Sequence, residues 1–202
     1  MRAVVSLSIA VLTVSLMLIL AVVFFGGSSA STTYRGTRPP AKLTLPTFTL
    51  NDENGAQVRS EDVAGKAVVV TFLDAQCTDA CPVAAGIIGQ AVDLLSADER
   101  SRVAVLGISV DPAEDTPAAV RRFLAQHQAT GKLRYLTAPE PVMEPLWNDF
   151  KVLPTVRTGS DSLHSIPVQV YDRDGIWRST FNVGADLTAR NLAHDIRVAE
   201  SH

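Results

Sequence analysis

The chain has 202 residues, 47% of them hydrophobic and 19% charged, enough for one full domain with its own core plus an appendage. A formal net charge of −3 leaves no basic stripe for a phosphate backbone, so nucleic acid is not an expected partner. Cys77 and Cys81 are the only cysteines. Two thiols exclude a disulfide framework and a four-cysteine zinc site but permit a redox pair or part of a metal site.

Residues 3–25 are uncharged, and as a helix they would reach about 34 Å, enough to cross the hydrocarbon core of a bilayer. They read as an N-terminal membrane anchor covering residues 1–25, the alternative being a signal peptide cut near Ser28-Ser29-Ala30. Arg2 on one flank and Arg35, Arg38 and Lys42 on the other leave the orientation open. Residues 26–44, rich in Gly, Ser, Thr and Pro, read as a flexible linker. The folded domain is expected over 45–202.

The domain opens with a strand at 48–50, a turn at Asn54-Gly55, a short strand at Gln57-Val58 and a helical turn capped by Ser60. A strand apolar but for Thr71 follows at 67–73, then a helix to about residue 96. Further expected elements are a buried strand at 103–110, a helix at 118–129 started by Thr116-Pro117, a short strand at 133–136 and a helix at 142–150. A hairpin of strands 168–171 and 176–181 turns at Asp174-Gly175, and a helix at 186–200 closes the domain. Alternating strands and helices with a final hairpin and helix predict an α/β fold, a central mixed sheet flanked by helices, in the order of a thioredoxin-like fold.

The chemistry concentrates at Cys77-Thr-Asp-Ala-Cys81-Pro82, between the apolar strand and the helix. Four residues apart in a helix, both sulfurs would face one side of its first turn, where free N–H groups and the helix dipole favour thiolate. Pro82 suits a helix start. A staple across so short a loop would add only about 2 kcal/mol, which argues against a merely structural disulfide. Thiolates attack disulfides and bind soft metals.

His164 precedes the strand that begins near Pro167. In thioredoxin-like proteins the loop before this strand packs against the start of the cysteine helix. Two thiolates and one imidazole would make a trigonal site suited to Cu(I), whereas zinc usually takes a fourth ligand. Trp147, Phe150 and Met143 read as core, Trp177 as a cover on the hairpin, and Asp111 and Asp115 as turn or capping residues. His127, His194 and His202 read as solvated.

The cysteine motif, the segment Gly107-Ile-Ser-Val-Asp111-Pro-Ala-Glu-Asp115-Thr-Pro117, and His164-Ser-Ile followed by Asp174-Gly175 together resemble the Sco/SenC family of membrane-anchored copper proteins. The resemblance runs from about residue 45 to the end. It implies a thioredoxin-like domain on the extracytoplasmic side of the cell membrane, held by one N-terminal helix. The implied function is a metallochaperone that helps deliver copper to the binuclear copper centre of cytochrome c oxidase. The implied metal ligands are Cys77, Cys81 and His164, with copper as Cu(I) and Cu(II) left open. Gln76 and Thr78 flank the first cysteine where the family often has an aromatic residue and a proline. Ile166-Pro167 resembles the cis-proline dipeptide of ordinary thioredoxins. That keeps a second expectation in view, a membrane-tethered thiol-disulfide oxidoreductase in which Cys77 and Cys81 are the catalytic pair.

Overall fold

A computed structural model of the chain describes residues 33–152 and 166–201. The proposed anchor lies outside these residues, as does His164. Among the described residues no helix is long and apolar enough to cross a membrane.

Strands β1 (Thr49–Asp52), β2 (Gln57–Arg59), β3 (Ala67–Leu73), β4 (Val103–Ser109), β5 (Arg134–Thr137), β6 (Pro167–Tyr171) and β7 (Trp177–Asn182) form one sheet in the order β2-β1-β5-β4-β3-β6-β7. β3 pairs parallel with β4, and β4 with β5, while β6 runs antiparallel to β3 and to β7. The sheet is therefore mixed, as expected. β3 lies near its centre and is buried along its whole length because every residue but Thr71 is apolar. Its side chains alternate: Ala67, Val69 and Leu73 enter one core, and Val68, Val70 and Phe72 enter the other.

Helices α1 (Ala80–Asp93), α3 (Pro117–Gln126) and α5 (Ala189–Glu200) supply the first core, while α4 (Glu140–Asp149) covers the opposite face with Met143, Leu146 and Trp147. A short helix α2 (Ala97–Ser101) follows α1. It was not anticipated, although its signal is in the sequence. Ser96 accepts the Glu99 N–H while the Glu99 carboxylate accepts the Ser96 N–H, a capping box that ends the longer helix early. Thr116 and Pro117 start α3 as expected, with the threonine hydroxyl accepting the Ala119 N–H at 3.3 Å.

Two expectations are corrected. Residues 33–44 are not free linker: Thr37 bridges to Thr180 and Thr44 to Ile176, placing this segment along β7. Buried Asp195 of α5 anchors it, accepting the Arg35 and Gly36 N–H groups at 2.8 and 3.0 Å and the Ser179 hydroxyl at 2.7 Å. Gly36 is required by the close approach, since a Cβ there would lie 2.9 Å from the Thr180 carbonyl oxygen. Pro167 follows a trans peptide, because no cis peptide bond occurs among the described residues, and it simply opens β6.

Candidate functional site

The site sits where β3 ends and α1 begins. Cys81 is the second residue of α1 and is 4% exposed, while Cys77 lies in the preceding loop and is half-buried. The expectation that both cysteines share the first helical turn is therefore corrected. Asp79, with φ −119° and ψ −97°, is the residue before the helix, and its non-helical backbone keeps Cys77 out of the turn. Pro82 falls third in the helix, where its missing N–H still has no intrahelical role.

The loop is held by its own backbone. The Cys77 N–H donates to the Asp74 carbonyl at 3.2 Å, and the Gln76 N–H donates to the Asp74 carboxylate at 2.6 Å. The Asp74 N–H points at the Cys81 sulfur, 3.4 Å away. The mutual influence of the two thiols, one donating toward the other, is the largest cause acting on the ionisation of each. The Cys81 thiol draws the Cys77 thiol down from 9.0 to about 6. Burial opposes that pull, the Asp79 and Cys81 N–H groups reinforce it, and the Asp74 charge resists it. Cys81 is pushed up, first by its bond to Cys77 and then by burial, against the pull of the Asp74 N–H. One thiol is thus accessible and poised as thiolate, and its buried partner keeps its proton.

Residues 67–99 and 103–120 contain no Lys, Arg or His. The Cys77 thiolate is stabilised by hydrogen-bond donors and not by a neighbouring cation from these segments. Among the described residues no group of three or more His, Cys, Asp or Glu could hold a metal ion. Cys77 and Cys81 are thus the described part of the expected ligand set, and His164, the third expected ligand, is outside it.

The residues missed at the sequence level lie beneath the loop. Asp115, 2% exposed, accepts the Ala75 N–H on Oδ1 at 2.8 Å. Its Oδ2 lies 2.6 Å from both the Ser109 and the Tyr135 hydroxyls, and Tyr135 donates to the Leu73 carbonyl at 2.7 Å. Asp115 is a buried strut rather than a turn residue. The only sequence signal for Tyr135 is a hydroxyl-bearing residue within an otherwise buried strand. Of the residues read as core or cover, Met143, Trp147 and Phe150 are buried, and Trp177 stacks on Tyr171. His127 packs edge-on against Phe123, and His194 Nε2 lies 3.1 Å from the Thr33 carbonyl, so neither is simply solvated.

A mixed sheet with helices on both faces and a dithiol at the strand-to-helix junction defines a thioredoxin-like protein. The SCO1/SenC family model matches residues 36–199, and the chain belongs to that family. It is 42% identical over 76 residues to Protein SenC of Rhodobacter capsulatus, a match covering 38% of this chain and 34% of the relative. Matches to the curated relatives SenC and mitochondrial SCO1 of Saccharomyces cerevisiae span only 34% and 45% of their lengths. The structure resembles Bradyrhizobium japonicum ScoI with copper bound, at a TM-score of 0.62 and 25% identity over 78% of this chain and 99% of that one. It also resembles BsSco, described as having a disulfide switch and as a member of the Sco family of cytochrome c oxidase assembly proteins. That match has a TM-score of 0.65 and 22% identity, covering 82% of this chain and 98% of that one.

Proposed function

We propose that this protein binds copper through Cys77, Cys81 and His164 and helps supply it to the copper centre of cytochrome c oxidase. In this reading residues 3–25 anchor the chain in the cell membrane and the folded domain works on the extracytoplasmic side. The observation that carries the proposal is the cysteine pair at the start of α1, one thiol poised as thiolate near neutral pH and the other buried behind it. Two soft sulfur donors with an imidazole suit Cu(I). Cu(I) is the cargo in this reading, so the site must also release it. A half-exposed Cys77 lets an incoming thiolate or imidazole from a recipient replace the protein ligands stepwise. Family membership and the copper-bound ScoI relative support the same chemistry.

The test is a Cu(I) titration of the reduced full chain in detergent, with Cys77→Ser and Cys81→Ser alongside. One Cu(I) per chain, lost in either variant, is expected. Binding that survives both substitutions would refute the proposal.

The unequal thiols also favour a second reading, disulfide reduction. The Cys77 thiolate would attack one sulfur of a substrate disulfide and expel the other as thiolate, leaving a mixed disulfide. Cys81, losing its proton, would then attack the Cys77 sulfur and release the second substrate thiol. The products are a reduced substrate and a Cys77–Cys81 disulfide. This reading requires turnover that survives His164→Ala, measured on a model disulfide with a supplied thiol reductant. Absence of turnover would exclude it.

A further inference from the structure

Strand β4 extends beyond the neighbour that should flank it. Its pairing with β3 begins at Val103, opposite Ala67, whereas its pairing with β5 begins only at Leu106, opposite Arg134. The chain before β5 turns away, because the Lys132 and Leu133 N–H groups both donate back to the Ala129 carbonyl, at 3.0 and 3.1 Å. Backbone groups of successive residues face opposite neighbours in a parallel sheet. The Ala67 N–H donates to the Arg102 carbonyl and the Val110 N–H to the Leu73 carbonyl, so the even-numbered residues of β4 face β3. Val103 and Val105 therefore face the gap, and among the described residues the Val103 carbonyl and the Val105 N–H have no strand or loop partner there. The gap is a cavity of about 220 Å³. Val92, Leu95 and Val105 of the first core line it from one face of the sheet, and Val63 and Leu106 of the second core from the other. A space walled by both faces and by open strand backbone has the shape of a missing stretch of strand.

The charges around the gap say what could enter it. Lys66, Arg100, Lys132 and Arg134 line it against one acid, Asp62. Lys132 pairs with Asp93 at 2.5 Å and Arg134 with Asp52 at 2.7 Å, while Asp62 already accepts the Arg59 N–H at 2.8 Å. The Lys66 and Arg100 side chains have no ion pair or hydrogen bond among the described residues. Cations on an open strand edge repel a second copy of the same edge, but they attract an extended segment that carries carboxylates. We propose that this gap is a docking site for a short, acidic, extended segment of a partner protein, which adds about three residues to the open edge of β4. Its main chain bonds to Val103 and Val105, its aliphatic side chains fill the space against Val92 and Leu95, and its carboxylates meet Lys66 and Arg100. The gap lies at the start of β3, about 20 Å from the end that leads to the cysteine loop at 3.3 Å per residue, so a partner held here leaves Cys77 open. The inference depends on neither the copper nor the disulfide reading of that loop.

The experiment titrates the full chain, in a nonionic detergent, into a fluorescent peptide of alternating glutamate and valine residues, blocked at both ends, and follows its anisotropy. Saturable binding is expected. Reversing both free cations, in Lys66→Glu with Arg100→Glu, should weaken it by about tenfold or more, and raising the salt from about 20 to about 300 mM should weaken it several-fold. Neither side chain holds another residue, so the double variant should unfold at the wild-type temperature. The same peptide with lysine in place of glutamate should not bind. Amide exchange read by NMR locates the peptide: the Val105 N–H should be slowed when it gains an acceptor, while Val69, already flanked by β4 and β6, should be unchanged. Absence of saturable binding, equal binding of the lysine peptide, or binding that leaves Val105 exchange unchanged overturns the proposal.

Discussion

Lowering of the Cys77 thiol to about pH 6 has a kinetic signature that can be worked out in advance. With that value the group is about 90% thiolate at pH 7, against about 1% for a thiol ionising at the reference value of 9.0, a gain of about ninetyfold in reactive species. Thiolates of lower pKa are weaker nucleophiles. Three units at a Brønsted slope of about 0.45 cost about twentyfold, leaving a net acceleration of about fourfold at pH 7. Above about pH 8 the sign reverses, because the reference thiol gains thiolate while Cys77 has none left to gain. The assay is the pseudo-first-order rate of the reduced protein with 4,4′-dithiodipyridine, followed by absorbance across about pH 4.5 to 9.5. The profile should rise with a midpoint near 6 and be flat above about pH 7.5. Because the Cys81 thiol is the largest cause of the shift, Cys81→Ala should move the midpoint upward. A wild-type midpoint between 8 and 9, or an unchanged midpoint in Cys81→Ala, would refute the hydrogen-bond account.

Two glycines three residues apart in α1 should respond with opposite sign. A Cβ at Gly86 has its nearest neighbour 4.0 Å away, so Gly86→Ala should stabilise by up to about 1 kcal/mol through helix propensity. At Gly89 the Cβ would lie 2.9 Å from the Gln128 carbonyl oxygen, backbone that cannot swing aside, so Gly89→Ala should destabilise by about 1–3 kcal/mol in urea unfolding. Equal effects would contradict the packing described. Asp195→Ala strands the Arg35 and Gly36 N–H groups and the Ser179 hydroxyl, a loss of about 3 kcal/mol or roughly 6–12 °C in Tm. It should also open residues 33–44 to limited proteolysis, and wild-type resistance with an unchanged Tm would show that the strap is not held by this carboxylate.

The fold was legible where the pattern is local. The run at 67–73 has no polar residue except Thr71, and β3 occupies those positions. Thr116-Pro117 placed the start of α3 because cap and first-turn chemistry act within four residues. The strap at 33–44 was not legible, since Gly, Ser, Thr and Pro carry no apolar period and its partners, Thr180 and Asp195, lie far along the chain. At the site, the Cys-x-x-x-Cys spacing identified the pair but not where the helix begins, which the backbone of Asp79 decides. Asp115 and Tyr135 were hidden for a different reason. Each is ordinary in its own segment, and their role exists only after β3, β4 and β5 lie side by side.

The most direct test of the proposed function is the Cu(I) affinity of the reduced full chain, in competition with a chromogenic chelator, compared with His164→Ala. Tight binding of one Cu(I) that collapses in the variant, while its thermal unfolding is unchanged, is the predicted result. Affinity indifferent to His164 would contradict the three-ligand copper site and leave disulfide chemistry at Cys77 and Cys81 as the better account.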